Sequence, residues 1–249
     1  ADTVHNFGDA LNSIPLWIAF VLARRIATKR YTYGFGRAED IAGLFIVLSI
    51  AFSAGYILVE AVSKILNPQP IAFGGWVLLA ALIGFIGNEA VAVIQIRVGN
   101  KIGSEALITD GRHARVDGLT SLAVLPAVIG SWLNIPILDP IFGLIIGIAI
   151  IFITWDAIRA MWYRLMDAVD PHLFDHAERA ILKNSEVKEI NYLRMRWIGH
   201  SLHLESCIKV DSNYDFARIN KLRNSIDQEL IKELPYLAEI TISISPQYP

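Results

Sequence analysis

The sequence is 249 residues long, with 54% hydrophobic and only 18% charged residues, against about 25% charged in a typical soluble domain. Residues 1–166 carry 23 charged side chains, and residues 167–249, half that length, carry another 23. The net charge of −2 excludes a global basic field for nucleic acid, and the single cysteine, Cys207, excludes an internal disulfide framework. The first two-thirds is therefore too apolar for a soluble domain, whereas the tail has the composition of one.

Five apolar stretches in the first 166 residues predict membrane-spanning helices. A helix needs roughly 20 apolar residues to cross a bilayer core of about 30 Å, and four stretches approach or reach that length. The fifth is shorter, but no proline precedes it, so we interpret it as the inner part of a helix that enters from before residue 1. The chain starts without a basic, apolar leader, which predicts that no signal peptide is present. In chain order the stretches are 14–23, 41–66, 74–98, 104–133 and 140–160.

The connections between these stretches differ in charge, and the difference orients them. The first, residues 24–37, holds four arginines and one lysine, and the third holds Arg97 and Lys101. The second and fourth, residues 67–73 and 134–138, carry no charge. Basic residues concentrate on the cytoplasmic side of membrane proteins. We therefore expect the first and third connections and the tail to be cytoplasmic, in an integral protein of the cell (inner) membrane.

The tail alternates between helical and strand patterns. Amphipathic helices are predicted over 172–184 and 217–234, and strands over 187–197, 201–210 and 240–244. The order α-β-β-α-β predicts a small open-faced α+β sandwich. The chain is therefore divided into a transmembrane domain, residues 1–166, and a cytosolic domain, residues 167–249.

Two of the apolar segments carry the same pattern of ionisable residues, Asp-x-x-His-x-x-x-Asp. Ionisable residues inside membrane segments are costly and are functional candidates by default. Residues four apart lie on one face of a helix, so His5 with Asp9, and His113 with Asp117, each present an imidazole and a carboxylate to one point. Two such helices packed together supply two nitrogens and two oxygens, the tetrahedral set that Zn²⁺ prefers.

Other charged residues in the membrane segments have different expected roles. Asp2 and Asp110, the outer members of the repeated pattern, fit either a helix end or a hydrogen bond to a metal ligand. Arg112 and Arg115 are expected to extend to the cytoplasmic interface. Glu89 lies deep enough to face either a water-filled cavity or a hydrogen-bonding neighbouring helix, and both alternatives stay open.

The paired His-x-x-x-Asp motifs resemble the transport site of the cation diffusion facilitator family of divalent-metal transporters, which lies on the second and fifth family helices. Residues 33–39, Tyr-Gly-Phe-Gly-Arg-Ala-Glu, are similar to the family's Gly-x-Gly-[Lys/Arg]-x-Glu stretch, and the tail looks like its ferredoxin-like, metallochaperone-like cytosolic domain. The resemblance covers the whole chain. It implies six spans in the full protein, with the first absent here, and four transport-site ligands, which are His5, Asp9, His113 and Asp117.

The same resemblance implies a homodimer in which Arg37 pairs with Asp167, although an ordinary inside-positive anchor explains Arg37 equally well. The chain also departs from the family pattern. Some members bind a second metal through histidines in the first cytoplasmic loop, but Tyr31 and Phe35 occupy those places here. We therefore expect that this second site is lost.

The tail departs from the family pattern as well. Members with a regulatory metal pair have histidine and aspartate at places that are filled here by Asn191, Cys207, Ser243 and Ser245. The resemblance therefore predicts no such two-metal site in this tail. His203, Glu205 and Cys207 alternate on one strand face, which favours a polar sheet or dimer surface over a different metal site.

These features predict a proton-coupled transporter. Two imidazoles favour Zn²⁺, with Co²⁺, Ni²⁺, Cd²⁺ or Fe²⁺ as further substrates, whereas an all-oxygen site would suit Mn²⁺ better. Metal binding needs neutral histidine and ionised aspartate, so loading releases protons. Alternating access at such a site exchanges metal for protons, and the outward direction of metal transport follows from the resemblance.

Two other classes of function are open at this stage. A membrane-embedded metallohydrolase would also bury His and Asp, but a catalytic zinc keeps an open position, and the chain has no His-Glu-x-x-His sequence. A metal sensor or scaffold without transport would depend on the tail, whose altered ligand positions argue against it. The sequence therefore predicts a secondary transporter rather than an enzyme, with divalent metals, protons and the lipid bilayer as partners and no nucleic acid.

Overall fold

A computed structural model of the chain describes residues 14–66, 75–133, 135 and 137–247. The chain divides into two compact units, one ending at Met161 and the other starting at Trp162. The first unit is built of helices, and the second combines two helices with a three-stranded sheet. The predicted fold class, a helical membrane domain followed by an α+β domain, is confirmed.

The first unit contains three helices that are long and apolar enough to cross a membrane, judged by length and composition within the described residues. These apolar parts are Arg37–Glu60, Leu78–Ile102 and Leu138–Leu165, and a shorter apolar helix precedes them. In chain order the helices are α1 (Ile14–Ala23), α2 (Arg37–Leu66), α3 (Gly75–Ile102), α4 (Glu105–Leu122), α5 (Val124–Trp132) and α6 (Leu138–Leu165).

The predicted fourth segment, residues 104–133, forms two helices rather than one. The break lies at Ala123, whose N–H still donates to the Leu119 carbonyl at 3.1 Å. Pro126 explains the break, because it has no N–H to offer the carbonyl of Leu122, four residues earlier, and its ring would clash with that carbonyl in a continuous helix. α4 therefore ends inside the segment.

Buried side chains from α2, α4 and α6 form one hydrophobic cluster. Ile46, Ile50, Val116 and Ile150 belong to it, and each is almost completely buried. Many other apolar side chains of this unit point outward. That distribution suits helices surrounded by lipid, since hydrocarbon tails are as apolar as leucine.

α3 and α4 form a tight antiparallel hairpin. Gly103 in the turn has a φ of 73°, the left-handed region that favours glycine. Ser104 caps α4, because its Oγ accepts a hydrogen bond from the Leu107 N–H at 3.4 Å. A Cβ atom built at Gly111 would lie 2.7 Å from Ile96 Cγ1 of α3. The backbones of the two helices therefore approach closely.

The second unit has the predicted α-β-β-α-β order. Strand order in its sheet is β1-β2-β3, with β1 antiparallel to β2 and β3 parallel to β2. The parallel pair requires a crossover connection, which the second helix supplies. The elements are α7 (Pro171–Leu182), β1 (Glu189–Ile198), β2 (Ser201–Asp211), α8 (Phe216–Glu233) and β3 (Leu237–Gln247).

The core of the second unit lies between the sheet and its helices. Leu202, Leu204 and Ile208 alternate along β2 and are buried in the same cluster as Leu222 and Ile226 of α8. Because successive strand residues point to opposite faces, the intervening residues of β2 lie on the other face of the sheet. Polar side chains on that face can therefore be accommodated without cost to the core.

Candidate metal site

One of the two predicted ligand pairs is buried within the membrane unit. His113 and Asp117 lie one turn apart on α4, with the imidazole Nε2 3.7 Å from the carboxylate Oδ2. The two residues are 3% and 9% exposed. Two ligands of a tetrahedral zinc ion, each about 2.1 Å from the metal, are about 3.4 Å apart. The observed separation is therefore close to what two ligands of one ion require.

The other predicted pair, His5 and Asp9, lies outside the described residues, and so does Asp2. Within the described ranges, no group of three or more His, Cys, Asp or Glu side chains is arranged to hold a metal ion. One histidine and one aspartate supply half of a tetrahedral shell. The convergence of all four ligands on one ion stays a prediction.

Asp110, one turn before His113, is held by the neighbouring helix. Gln95 Nε2 of α3 donates to Asp110 Oδ2 at 2.6 Å, and Asp110 is buried. A buried carboxylate needs such a hydrogen bond, because its desolvation is otherwise uncompensated. The contact joins α3 to α4 and gives Asp110 a role in the packing of the two helices.

The start of α2 brings buried carboxylates to the base of α4. Glu39 is 1% exposed, and Ser104 Oγ donates to Glu39 Oε2 at 3.2 Å. Asp40 accepts a hydrogen bond from Arg37 Nη1 at 3.3 Å. Ser104 thus caps α4 and also ties it to α2. In the sequence, Glu39 stands out only as part of a glycine-containing stretch; the signal that marks it is a carboxylate in the first turn of an apolar helix.

The arginines of α4 pair with carboxylates. Arg115 Nη2 is 2.7 Å from Glu89 Oε1, and Arg115 Nε is 3.1 Å from Glu89 Oε2, a two-point contact between α4 and α3. Arg112 Nη1 donates to Glu105 Oε1, on the same helix, at 3.2 Å. Arg115 is thus paired with a carboxylate on α3, while its expected extension to the cytoplasmic interface stays a prediction. Of the two alternatives for Glu89, the hydrogen-bonding neighbour is the one observed.

The loop before α2 contains the two positions that the family resemblance would fill with histidines. Tyr31 and Phe35 pack against each other there, with ring centroids 4.6 Å apart. Both side chains are therefore engaged in aromatic packing. The expected pair of Arg37 and Asp167 joins residues of different units, and it stays a prediction.

One face of the tail sheet presents His203, Glu205 and Cys207, as their alternation predicts. Each has a neighbour on an adjacent strand: His203 Nδ1 lies 2.9 Å from Glu239 Oε2, Arg196 Nη2 lies 3.5 Å from Glu205 Oε1, and Asn191 Nδ2 lies 3.5 Å from Cys207 Sγ. Cross-strand pairs of this kind stabilise a sheet face. They support the interpretation of this surface as a polar sheet face.

Both units match models of known protein families. The model described as the cation efflux transmembrane domain matches residues 1–166, and the model described as the cation efflux protein cytoplasmic domain matches residues 169–247. A probable cation efflux system protein of Mycobacterium tuberculosis is 49% identical over 246 residues, which cover 99% of this chain and 74% of that protein. The match therefore extends over both units of the chain.

More distant relatives and solved structures also match. The magnetosome protein MamB of Magnetospirillum gryphiswaldense is 26% identical over 247 residues, covering 99% of this chain and 83% of that protein. The manganese efflux system protein MneP of Bacillus subtilis is 26% identical over 257 residues, covering 100% and 86%. Among solved structures, a nickel form of MamM CTD covers 32% of this chain and 100% of that chain, with 13% identity and a TM-score of 0.30.

Proposed function

Because the chain belongs to the cation efflux, or cation diffusion facilitator, family, we propose that it exports divalent transition-metal cations in exchange for protons, with Zn²⁺ as the main substrate. As a member, it is an integral membrane transporter of divalent metal cations with a cytoplasmic C-terminal domain. The choice of Zn²⁺, the coupling to protons and the transport mechanism are the proposed parts.

The observation that supports this function best is the buried pair of His113 and Asp117, whose ligand atoms lie 3.7 Å apart. A divalent cation loses its hydration shell on entering an apolar unit, so side-chain ligands must replace the water. The α4 pair supplies one nitrogen and one oxygen, and His5 and Asp9 supply the same set from the preceding part of the chain. Alternating access then exposes this tetrahedral site first to the cytoplasm and then to the opposite side.

Proton coupling follows from the charge of the proposed site. Two ionised aspartates balance the two positive charges of the metal, so the occupied site is electrically neutral. Without metal, two buried carboxylates would carry uncompensated charge, which is expensive inside a membrane. Protons taken up as the metal leaves restore the neutrality of the site, because they bind to its carboxylates and imidazoles. Each transport cycle therefore returns protons against the outward movement of metal.

The ligand set also supports the choice of metal. Two imidazoles and two carboxylates make a site of intermediate softness, which suits Zn²⁺ best and accommodates Co²⁺, Ni²⁺, Cd²⁺ and Fe²⁺. The relative MneP is named for manganese efflux, yet Mn²⁺ prefers a shell of oxygen ligands. We therefore propose Mn²⁺ as a weaker substrate of this chain.

We further propose a homodimer in the cell (inner) membrane, with a transport domain over residues 1–166 and a cytosolic domain over residues 167–249. The family model for residues 169–247 is a dimerisation-domain model, which supports the dimer. The basic first connection supports the orientation, because positive residues concentrate on the cytoplasmic side. Arg37 and Asp167 remain the proposed pair near the exit of the membrane domain.

The function is tested by metal-dependent flux in proteoliposomes that hold the full-length protein and a pH-sensitive dye. We expect Zn²⁺ flux with opposing proton movement, smaller Mn²⁺ flux, and a fall to the level of protein-free liposomes for Asp117→Ala and His113→Ala. Asp156→Ala is a matched control, because it removes a carboxylate from an exposed position of a different helix, α6. This control should keep its flux.

Two results would contradict the proposal. Zn²⁺ flux that survives Asp117→Ala would show that the α4 pair is not the transport site. Tight Zn²⁺ binding without flux of any of the six metals, in the correctly folded full-length protein, would instead favour a metal sensor or scaffold.

A further inference from the structure

The ion pair between Glu89 and Arg115 joins α3 and α4 of the membrane unit, and both side chains are partly exposed. It is a two-point contact, with N–O distances of 2.7 and 3.1 Å. A guanidinium and a carboxylate that meet in this way fix their relative orientation as well as their distance, because the planar fork of arginine matches the two carboxylate oxygens. The pair therefore constrains how α4 is rotated against α3.

The pair belongs to the regular register of the α3–α4 hairpin. Along α4 it lies between the two metal ligands, since Arg115 is two residues from His113 and two from Asp117. The same register continues on both sides of the pair. Facing positions, from the turn outward, are Gly99 with Ile108, Gln95 with Asp110, Glu89 with Arg115, and Gly84 with Ser121.

Arg115 and the ligands lie on opposite sides of α4. A helix turns by about 100° per residue, so a separation of two residues places His113 and Asp117 about 160° from Arg115. Ala106, seven residues before His113, shares the ligand face and packs toward α2, because a Cβ built at Gly43 would lie 3.3 Å from Ala106 Cβ. When Arg115 is held on α3, His113 and Asp117 are therefore turned toward α2, and Asp110, one turn before His113, lies at the edge of the ligand face that still reaches Gln95 of α3.

The rest of the interface holds the two helices close together mainly through apolar contacts. Gly99, Gly111 and Ala92 contribute small surfaces where the two helices meet. Small residues allow close approach of membrane helices, and Ile96 and Ile108 pack onto Gly111 and Gly99 of the facing helix without a directed polar contact. A second bridge, between Gln95 and Asp110, lies closer to the hairpin turn. Beyond it, the Glu89–Arg115 pair acts at the level of the ligands themselves.

We propose that the Glu89–Arg115 ion pair is an interhelical lock that holds α4 in the rotation that presents His113 and Asp117 to the metal. Both members are positioning residues for the transport site, and the proposal rests on the transport function proposed above. The lock acts through geometry. A purely electrostatic role, in which Glu89 only cancels the charge of Arg115 near a bound cation, makes different predictions for variants of the pair.

The decisive experiment compares single and double variants of the full-length protein by their Zn²⁺ dissociation constant and their flux in proteoliposomes. Glu89→Gln and Arg115→Gln should each weaken the Asp117-dependent binding of Zn²⁺ by about ten- to hundred-fold, the usual effect of losing a group that orients a metal ligand. The charge-reversed pair, Glu89→Arg with Arg115→Glu, should recover most of the affinity. The neutral pair, Glu89→Gln with Arg115→Gln, should not.

The chain provides a matched control for charge alone. Glu105 and Arg112 also form an ion pair beside His113, at 3.2 Å, but both residues belong to α4. Glu105→Gln with Arg112→Gln therefore removes the same charges without removing a link between helices. We expect this double variant to bind and move Zn²⁺ as the wild type does.

Three results would overturn the lock. The neutral pair could recover Zn²⁺ affinity as fully as the reversed pair, in which case the ion pair would act only by cancelling charge. Glu89→Gln could bind Zn²⁺ as the wild type does. If the reversed pair does not fold, Arg115→Lys tests the lock instead, because lysine keeps the positive charge but cannot make the two-point contact. Wild-type Zn²⁺ affinity in Arg115→Lys would exclude the lock. A wild type without Zn²⁺ flux would contradict the transport function, while the binding series would still test the lock.

Discussion

If His113 is a ligand of the proposed site, the identity of its ligand atom should control which metal the transporter prefers. His113 contributes an imidazole nitrogen to a pair that is otherwise completed by a carboxylate oxygen. His113→Asp would leave one nitrogen and three oxygens in the proposed shell, which is closer to the oxygen environment that Mn²⁺ prefers. We expect the ratio of Zn²⁺ to Mn²⁺ affinity to fall by about ten-fold, equivalent to about 1.4 kcal/mol.

The ratio is the informative quantity because the new carboxylate also adds a negative charge, which acts equally on both divalent cations. Isothermal titration of each metal into the purified full-length protein measures it. His172→Asp, an exposed exchange of the same kind at the start of α7, is the control and should leave the ratio unchanged. An unchanged ratio in His113→Asp would remove this histidine from the proposed shell.

The proximity of two side chains could be predicted from the sequence where both belong to the same helix. The meeting of His113 with Asp117 follows from helical periodicity, since residues four apart share a face whatever the helix packs against. The partner of Arg115 did not follow from the sequence, because Glu89 lies 26 positions away and becomes its neighbour only through the α3–α4 register. Glu39 was similarly visible as a motif residue, but its bond to Ser104 depends on how α2 meets α4.

At the scale of elements, close contact between α3 and α4 should be the most sensitive part of the membrane unit. A Cβ at Gly111 would lie 2.7 Å from Ile96 Cγ1 and 3.1 Å from the Ala92 carbonyl oxygen. Because the second contact is with backbone, a rotamer change of Ile96 does not relieve it. Gly111→Ala should therefore destabilise the protein by about 1–3 kcal/mol, the usual cost of overpacking.

The matched control for this substitution is Gly87→Ala on α3. A Cβ at Gly87 meets nothing within 4 Å among the described residues, and alanine is a better helix former than glycine. Apparent melting temperatures in detergent compare the two variants. Gly111→Ala should melt below the wild type and Gly87→Ala at or above it; equal melting of the two would show that the close approach is not maintained in solution.

Elements were predictable from periodicity, and their interruptions were harder to predict. The α-β-β-α-β order of the tail follows from alternating and helical patterns separated by turn residues, one of which is Gly199 with a φ of 59°. The break at Ala123 did not, because residues 119–133 around it carry no charge and show no periodicity that a break would interrupt. Pro126 is its local cause, yet membrane helices tolerate proline. The proline alone therefore did not indicate whether the helix would kink or end.

At the scale of the whole molecule, charge and hydropathy divide the chain into a part suited to lipid and a part suited to water. The first unit exposes apolar side chains, and the second buries them between a sheet and two helices. The arginines and lysine of residues 24–37 lie in the first connection. Under the positive-inside rule this connection and the tail share the cytoplasmic side, and the uncharged connection at residues 67–73 lies opposite.

This topology can be tested directly because the chain has one cysteine, Cys207. In a Cys207→Ser background, Ser212→Cys places a thiol on an exposed turn of the tail, and Gln69→Cys places one in the uncharged second connection. A membrane-impermeant maleimide should label Gln69→Cys in intact cells. It should label Ser212→Cys only after the membrane is permeabilised, since the reagent cannot otherwise reach the cytoplasmic side. Labelling of Ser212→Cys in intact cells, with Gln69→Cys protected, would reverse the orientation and with it the outward direction of metal transport.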